Sequence, residues 1–265
     1  MKLFVLIPTY NTGPVLLVKT VTAALGAWPD VWVVIDGSTD GSKEAVEALL
    51  PLHAGLRLLH QHPNAGKGSA VLRGAAEARQ AGFTHALSLD ADGQHPTERI
   101  PAFAALAEAH PEALLLGCPQ FGADAPALRV QGRKISNWWA NMETLGWGIH
   151  DSLFGMRVYP LEALLRAFAS TRYARRFDFD PEMAVRITWQ GLPVLNVPTP
   201  VRYLSAAEGG VSQFRYVRDN TLLTWMHTRL VFGFLFRLPV LLWRRARGGN
   251  PLRKAVPMTT PEASP

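Results

Sequence analysis

Five short apolar runs punctuate the first 120 residues, at 3–7, 31–35, 56–60, 85–89 and 113–117. Each has the length of a buried strand. The gaps between them carry helical patterns, over 15–25, 43–50, 68–80 and 98–109. Strands alternating with helices of this size predict βαβ units and a mostly parallel, Rossmann-like α/β sheet covered on both faces. In such sheets ligands bind at the carboxyl ends of the strands, where the strand order reverses. The polar clusters of this half fall at those ends: Pro8-Thr9-Tyr10-Asn11, then Asp36 to Gly41, then Asp90 to His95. One polar strand end is a loop, but three on one edge make a candidate site.

The second half is less regular. Residues 129–147, 161–169 and 180–190 have helical patterns, "HDSLFGMRVY" leads into a strand, and "PVLNVPTPVRYL" reads as an extended, proline-punctuated edge strand. Residues 221–247, "TLLTWMHTRLVFGFLFRLPVLLWRRAR", are crowded with large apolar side chains, yet His227, Arg229, Arg237 and Pro239 interrupt the run. A spanning helix needs ~20 predominantly apolar residues. This pattern fits a helix or helix pair lying in a membrane interface, with Arg244, Arg245 and Arg247 near anionic headgroups. The competing reading is a C-terminal helix packed on the core or on a partner. Residues 248–265 are rich in Gly, Pro, Ser and Thr and are expected to form a disordered tail.

Composition narrows the classes. The chain has 265 residues, enough for a sizeable core, and a formal net charge of +6, which admits anionic partners such as phosphorylated ligands or an anionic membrane. Nucleic-acid binding finds little support, because the basic residues gather near the C-terminal apolar segment. A single cysteine, Cys118, excludes an internal disulfide and a cysteine metal cage, and its apolar neighbours suggest a core thiol. "MKLFVLIPTYN" lacks a long apolar region and a cleavage site and reads as a first strand, so a cytosolic protein is expected.

Three motifs carry chemistry. In "VIDGSTDGS" (34–42), Asp36 could accept hydrogen bonds from a base or ribose; a strand-to-helix turn capped by Ser42 explains the same residues. "NAGKGSAVLRGA" (64–75) puts Lys67 and free N–H groups at a helix start, suited to a phosphate or simply to a glycine cap. "LDADGQH" (89–95) offers the carboxylates of Asp90 and Asp92, with the neutral oxygen of Gln94 as a third donor. Mg²⁺ and Mn²⁺ take oxygen ligands and commonly use one or two carboxylates plus substrate phosphates. At a buried strand end this favours a metal site over an Asx-turn, and His95, before Pro96, suits a capping or supporting role better than ligation.

In this order and spacing, "IPTYN", "DGSTDGS", "NAGKGSAVLRGA" and "LDADGQHPTE" resemble the family 2 glycosyltransferases of GT-A fold. The branch they are most similar to is that of the dolichyl- and polyprenyl-phosphate mannose synthases. The resemblance implies that Pro8, Tyr10, Asn11, Asp36, Lys67 and Asp90 bind the nucleotide-sugar, and that Asp90, Asp92 and Gln94 hold Mg²⁺ or Mn²⁺. It continues in "RVQGRKIS" (129–136), where Arg133 matches the cation at the acceptor phosphate. "HDSLFGMRVYP" (150–160) keeps Asp151, Gly155 and Arg157, and the segment after "VPTPVRYL" keeps Gly210 and Ser212. The implied acceptor residues are therefore Arg133, Asp151, Arg157 and Ser212, with Asp92 and Arg133 also catalytic.

The implied activity is metal-dependent, inverting transfer of a sugar from GDP-mannose or a UDP-sugar to a lipid or lipid-phosphate at the cytoplasmic membrane face. Residues 1–215 would form the GT-A domain, with a nucleotide-sugar half (1–119) and an acceptor half (120–215). Residues 216–247 would form amphipathic helices. Three positions depart from the family pattern: Ile35 replaces the first of two aspartates, Thr12 a glutamate, and Gln213 a lysine. In "RRFDFDPEMAVRITWQG" (175–191), Asp180 could be the general base that a hydroxyl acceptor needs, or the cap of a helix beginning at Pro181. A transferase to a non-lipid hydroxyl, a nucleotidyltransferase and an inactive nucleotide-sugar-binding subunit are the rival functions. The first strand lacks the glycine-rich basic loop of a nucleotidyltransferase, and the intact Asp-x-Asp-x-Gln argues against an inactive chain.

Overall fold

The computed structural model describes residues 1–121, 127–146, 148–201 and 216–247. The first half is a succession of βα units. Strand β1 (Leu3–Thr9) leads to α1 (Pro14–Ala27), β2 (Val31–Asp36) to α2 (Ser42–Glu47), and β3 (Leu56–Gln61) to α3 (Lys67–Gln80). Strand β4 (His85–Ser88) leads to α4 (Ile100–Ala109) and then β5 (Leu114–Gln120). Prolines at the first turns of α1 and α4 preset the helical φ where no N–H is needed. Helix α2 is shorter than its sequence pattern and passes into a 3₁₀ turn at Leu50–Leu52, where Pro51 cannot donate to a continuing helix.

The later elements are α5 (Ala127–Glu143), β6 (Arg157–Pro160), α6 (Leu161–Ala169), α7 (Phe179–Trp189), β7 (Val194–Pro200) and α8 (Tyr216–Ala246). All seven strands form one sheet in the order β3-β2-β1-β4-β6-β5-β7. Only β6 runs antiparallel, between β4 and β5, and β7 closes one edge beside β5. The expected mostly parallel sheet is therefore present, with its proline-rich last strand at an edge.

Strand alternation splits the core in two. Phe4, Leu6, Trp32, Val34 and Ala86 face α3, α6, α7 and α8. Leu3, Val5, Ile7, Val33 and Leu87 face α1, α2 and α4. The chain winds from β1 outward to β3, then returns to place β4 on the other side of β1. That reversal opens a crevice beyond the ends of β1 and β4, the usual ligand position in open α/β sheets.

Of the two expected forms, a helix or a helix pair, the structure has the single helix: α8 is continuous over 31 residues, ~46 Å at the usual rise, with Pro239 inside it. One face packs into the core through Met226, Leu230, Phe234 and Leu241. The opposite face leaves Trp225, Phe232, Phe236 and Trp243 exposed at helical spacing. Arg229, counted as an interruption, is an anchor: its guanidinium meets Glu182 Oε2 at 3.0 Å and sits 3.8 Å from the Tyr173 ring centre. The expected tail at 248–265 lies outside the described residues, as do Gly210, Ser212 and Gln213.

Candidate active site

The loops after β1 and β2 lock together. Asn11 N–H donates to Ser38 Oγ, Thr39 N–H to Asn11 Oδ1, and Gly13 N–H to Asp40 Oδ2. Asn11 takes a positive φ of 45°, a conformation that asparagine tolerates better than most residues. Tyr10 beside it is exposed, whereas Pro8 is buried within β1, paired in register with Val34. Pro8 thus shapes the strand end from inside.

Asp36 has a different setting from the one expected of a base or ribose ligand. Its carboxylate is buried and accepts from Gln61 Nε2 (2.6 Å), Asn64 Nδ2 (2.9 Å), Ala65 N–H (2.8 Å) and Gly66 N–H (2.7 Å). Four donors fill the acceptor sites of a carboxylate. Asp36 therefore fixes the loop that delivers Lys67, with no capacity left over for a ligand.

Lys67 opens α3, where a cation meets the positive end of the helix dipole and needs compensation. It has two carboxylates: Nζ lies 2.6 Å from Asp90 Oδ1, beyond β4, and 2.6 Å from Asp180 Oδ2, in the first turn of α7. The two helix starts can come this close because Gly68 lies against the loop before α7. A Cβ there would stand 2.0 Å from the Ala174 carbonyl oxygen. Burial opposes the Lys67 charge, yet Asp180 and Asp90 hold its ammonium above the ordinary lysine range. Burial would likewise raise the Asp90 carboxyl, but Lys67, then His95, pull it down to about 2.

Asp90 is also braced from behind. Its backbone N–H donates to His95 Nδ1 at 3.0 Å, which leaves the ring proton for Nε2, 3.6 Å from Asp90 Oδ2. The His95 ring packs edge-on against Phe154 at 4.6 Å. Gly155 supplies the remaining wall, since any Cβ there would fall 2.2 Å from Asp90 Oδ2.

Asp92 lacks such compensation. Oδ1 accepts Gln94 N–H at 3.0 Å, and burial together with the negative charge of Asp90 pushes its carboxyl above the usual range. It is the main chain of Gln94 that touches Asp92; the residue itself lines a cleft of about 340 Å³ beside α1, with Leu16, Lys19 and Thr20. Two hard oxygen donors with an under-neutralised carboxylate fit a divalent cation. Among the described residues no group of three or more His, Cys, Asp or Glu is arranged to hold a metal. Any such cation must complete its shell with oxygens from substrate or water.

The acceptor-side expectations divide. Arg133 and Asp151 are brought together: Arg133 Nη1 meets Asp151 Oδ1 at 2.6 Å, and the same oxygen accepts the N–H groups of Leu153 and Phe154. Asp151 thus holds the turn carrying Phe154 and Gly155 against Asp90. Arg157, expected at the acceptor, is instead fully buried below the site. Its Nε donates to the Phe154 carbonyl at 2.6 Å and its Nη1 to the Asp180 carbonyl. A side chain with no exposed surface cannot reach a lipid acceptor from there.

Asp180 does not cap α7, which begins two residues earlier than Pro181, at Phe179. Its Oδ2 goes to Lys67, while Oδ1 is buried without a partner among the described residues. Of the neighbouring carboxylates, Asp178 accepts N–H groups of Ala174 and Arg176, and Glu182 is taken by Arg186 and Arg229. Asp180 alone of the three faces the strand ends. Cys118 is chemically quiet: burial and then the Asp151 charge push its thiol up to about 12.

Residues 4–168 match the model of the glycosyl transferase family 2, so this chain belongs to that family. It is 24% identical over 216 residues to an undecaprenyl-phosphate mannosyltransferase of Micrococcus luteus, covering 75% of this chain and 82% of that protein. It is 28% identical over 214 residues to a polyprenol monophosphomannose synthase of Mycolicibacterium smegmatis, covering 74% and 76%. Among solved structures, the mannosyltransferase PcManGT from Pyrobaculum calidifontis, in complex with GDP-Man and Mn²⁺, superposes with a TM-score of 0.59 at 20% identity over 89% of this chain. The chain spans 64% of that protein's length and 34% of the length of S. aureus TarS, to which the TM-score is 0.47 at 20% identity over 70% of this chain. The GT-A fold and a glycosyltransferase activity follow.

Proposed function

We propose that this chain catalyses metal-dependent, inverting transfer of a sugar from a nucleotide-diphospho-sugar, GDP-mannose or a UDP-sugar, to a polyprenyl-type lipid phosphate at the cytoplasmic face of a membrane. The observation that carries the proposal is the grouping of Asp90, Asp92, Lys67 and Asp180 beyond the point where strand order reverses. The Micrococcus undecaprenyl-phosphate mannosyltransferase and the Mycolicibacterium polyprenol monophosphomannose synthase favour the lipid-phosphate acceptor.

Asp90 and Asp92 would hold Mg²⁺ or Mn²⁺, which when bound supplies positive charge for the departing diphosphate. Lys67, on its flexible stem beside Asp90, is the chain's own cation for that diphosphate. Tyr10 and Asn11, at the end of β1, would flank the nucleotide, with Asp36 setting the loop behind Lys67. Arg133 keeps guanidinium donors beyond its Asp151 bond and would orient the acceptor phosphate. An ionised phosphate oxygen attacks the anomeric carbon as the bond to the diphosphate oxygen breaks. The nucleoside diphosphate leaves with that electron pair, and no general base is required. Residues 1–119 would thus serve the donor and 120–215 the acceptor, while the exposed face of α8 lies in the bilayer interface.

A hydroxyl acceptor is the second reading, because Asp180 Oδ1 is buried and has no hydrogen-bond partner among the described residues. The deciding experiment presents GDP-mannose and UDP-sugars with Mn²⁺ and vesicles, with and without polyprenyl phosphate. Nucleoside diphosphate release from one donor, stimulated by the lipid phosphate and abolished by Asp92→Ala, is expected. No release from any donor, or full activity in the Asp92 variant, would overturn the proposal.

A further inference from the structure

The cation-binding pair is half occupied by the protein's own charge. Lys67 Nζ sits 2.6 Å from Asp90 Oδ1, so one of the two carboxylates is already neutralised before any ligand arrives. Lys67 is shared by Asp90 and Asp180, and Arg157 Nη1 bonds the Asp180 backbone carbonyl, whereas no cation among the described residues is paired with Asp92. A dication arriving alone would meet an ammonium group already on Asp90. It would also have too few protein ligands, since the described residues offer no third acidic, His or Cys side chain placed to hold it. A diphosphate changes both terms, for it gives the cation oxygen ligands and gives Lys67 a new anion to follow.

We infer that Lys67 is an internal gate that makes the site bind the metal–diphosphate complex in preference to the metal alone. In the free protein Lys67 is shared between Asp90 and Asp180. When a nucleoside diphosphate binds, Lys67 turns to the phosphate oxygens, Asp180 holds the base of its swing, and Asp90 is released to the cation. Metal and nucleotide then strengthen each other's binding by one and the same factor, as linkage requires. The inference rests on the donor and metal assignment proposed above and adds the residue that couples the two.

The test is calorimetric titration with Mn²⁺ alone, with GDP or UDP alone, and with each nucleotide in the presence of Mn²⁺. It uses the full chain, Lys67→Met and Asp180→Asn, with a thermal melt on each as a check of folding. In the natural protein Mn²⁺ alone should bind weakly, and either ligand should tighten the other by about tenfold or more, within the usual range of coupling. Lys67→Met keeps the length of the stem and removes its charge. It should tighten Mn²⁺ alone by about tenfold and erase most of the coupling. Asp180→Asn commits Lys67 wholly to Asp90 and should weaken Mn²⁺ alone; the tightening by Lys67→Met is the change that general damage to the site would not produce. If the natural protein binds neither nucleotide with Mn²⁺, the donor assignment fails and this inference falls with it. If it binds them together but Lys67→Met leaves the affinity for Mn²⁺ alone unchanged, the gate alone is wrong.

Discussion

Asp180 and Glu182 stand two residues apart on α7, about 200° around the helix from each other, and their surroundings are opposite in kind. Glu182 is fully buried and engaged on both oxygens: Oε1 accepts from Thr171, Arg186 and Arg229, and Oε2 from Arg229. Among the described residues the Asp180 carboxylate has one cationic partner, Lys67, and a buried oxygen with none. A completed network of buried charge ties elements together, here α7 to α8. An incomplete one at the ends of the strands keeps capacity for something that arrives later. The difference separates a structural joint from a site within one helix.

The largest effect is expected at Glu182. Glu182→Gln leaves the half-buried Arg186 and Arg229 against a neutral amide, and breaking a buried pair by removing one partner costs about 3–5 kcal/mol. The lower end is expected, because Asp178 Oδ2 remains 3.8 Å from Arg229. A denaturant melt should show that loss, while turnover per folded molecule stays near that of the natural protein. An unchanged melt would mean that α8 is held by its apolar face alone.

On the Asp180 side the expected effect is smaller and of the other kind. Asp180→Asn should leave the melt nearly unchanged and lower kcat by about ten- to hundredfold, the usual range for a residue that positions another. With a lipid-phosphate acceptor the pH profile should keep its shape, since no proton is taken up by Asp180. A loss of about 10²–10⁴ together with a lost acidic limb, the fall in rate as the base is protonated, would instead identify Asp180 as a general base and the acceptor as a hydroxyl.

Much of the donor side was legible because strand period and polar strand ends are local patterns. Asp90, Asp92 and Lys67 all lie within 26 residues of one another in a regular βα succession. The Lys67–Asp180 pair was not legible, since it joins positions 113 residues apart through the packing of two helix starts. The capping explanation of Asp180 also seemed sufficient until α7 proved to begin at Phe179. Asp36 looked like a ligand for a nucleotide, but nothing in "DGSTDGS" reveals that Gln61, Asn64 and two backbone amides will surround it. The resemblance implies an acceptor role for Arg157, yet its neighbours Phe154, Met156, Val158 and Tyr159 are all apolar or aromatic, a pattern that marks a buried strand. His95 was placed in a supporting role, and its ring indeed holds the Asp90 backbone; its partner ring on Phe154 could not be read from sequence.

The smallest effect is expected on the outer face of α8. Phe236 is 85% exposed and Arg237, next to it, bonds the Gly233 carbonyl on its own helix, so no core contact depends on the phenyl ring. Phe236→Ser should therefore change folding stability by no more than about 0.5 kcal/mol. If the stripe of Trp225, Phe232, Phe236 and Trp243 lies in a bilayer interface, the same change removes part of the gain of about 1.5–3 kcal/mol that full burial of such a side chain brings. Co-sedimentation with phosphatidylglycerol-containing vesicles should weaken several-fold while the melt stays where it was. Because α8 is joined to α7 by Glu182 and Arg229, lost vesicle binding should also lower turnover on a vesicle-borne acceptor but not on a water-soluble short-chain analogue. Equal vesicle binding by both proteins would assign the stripe to a protein partner instead of a membrane.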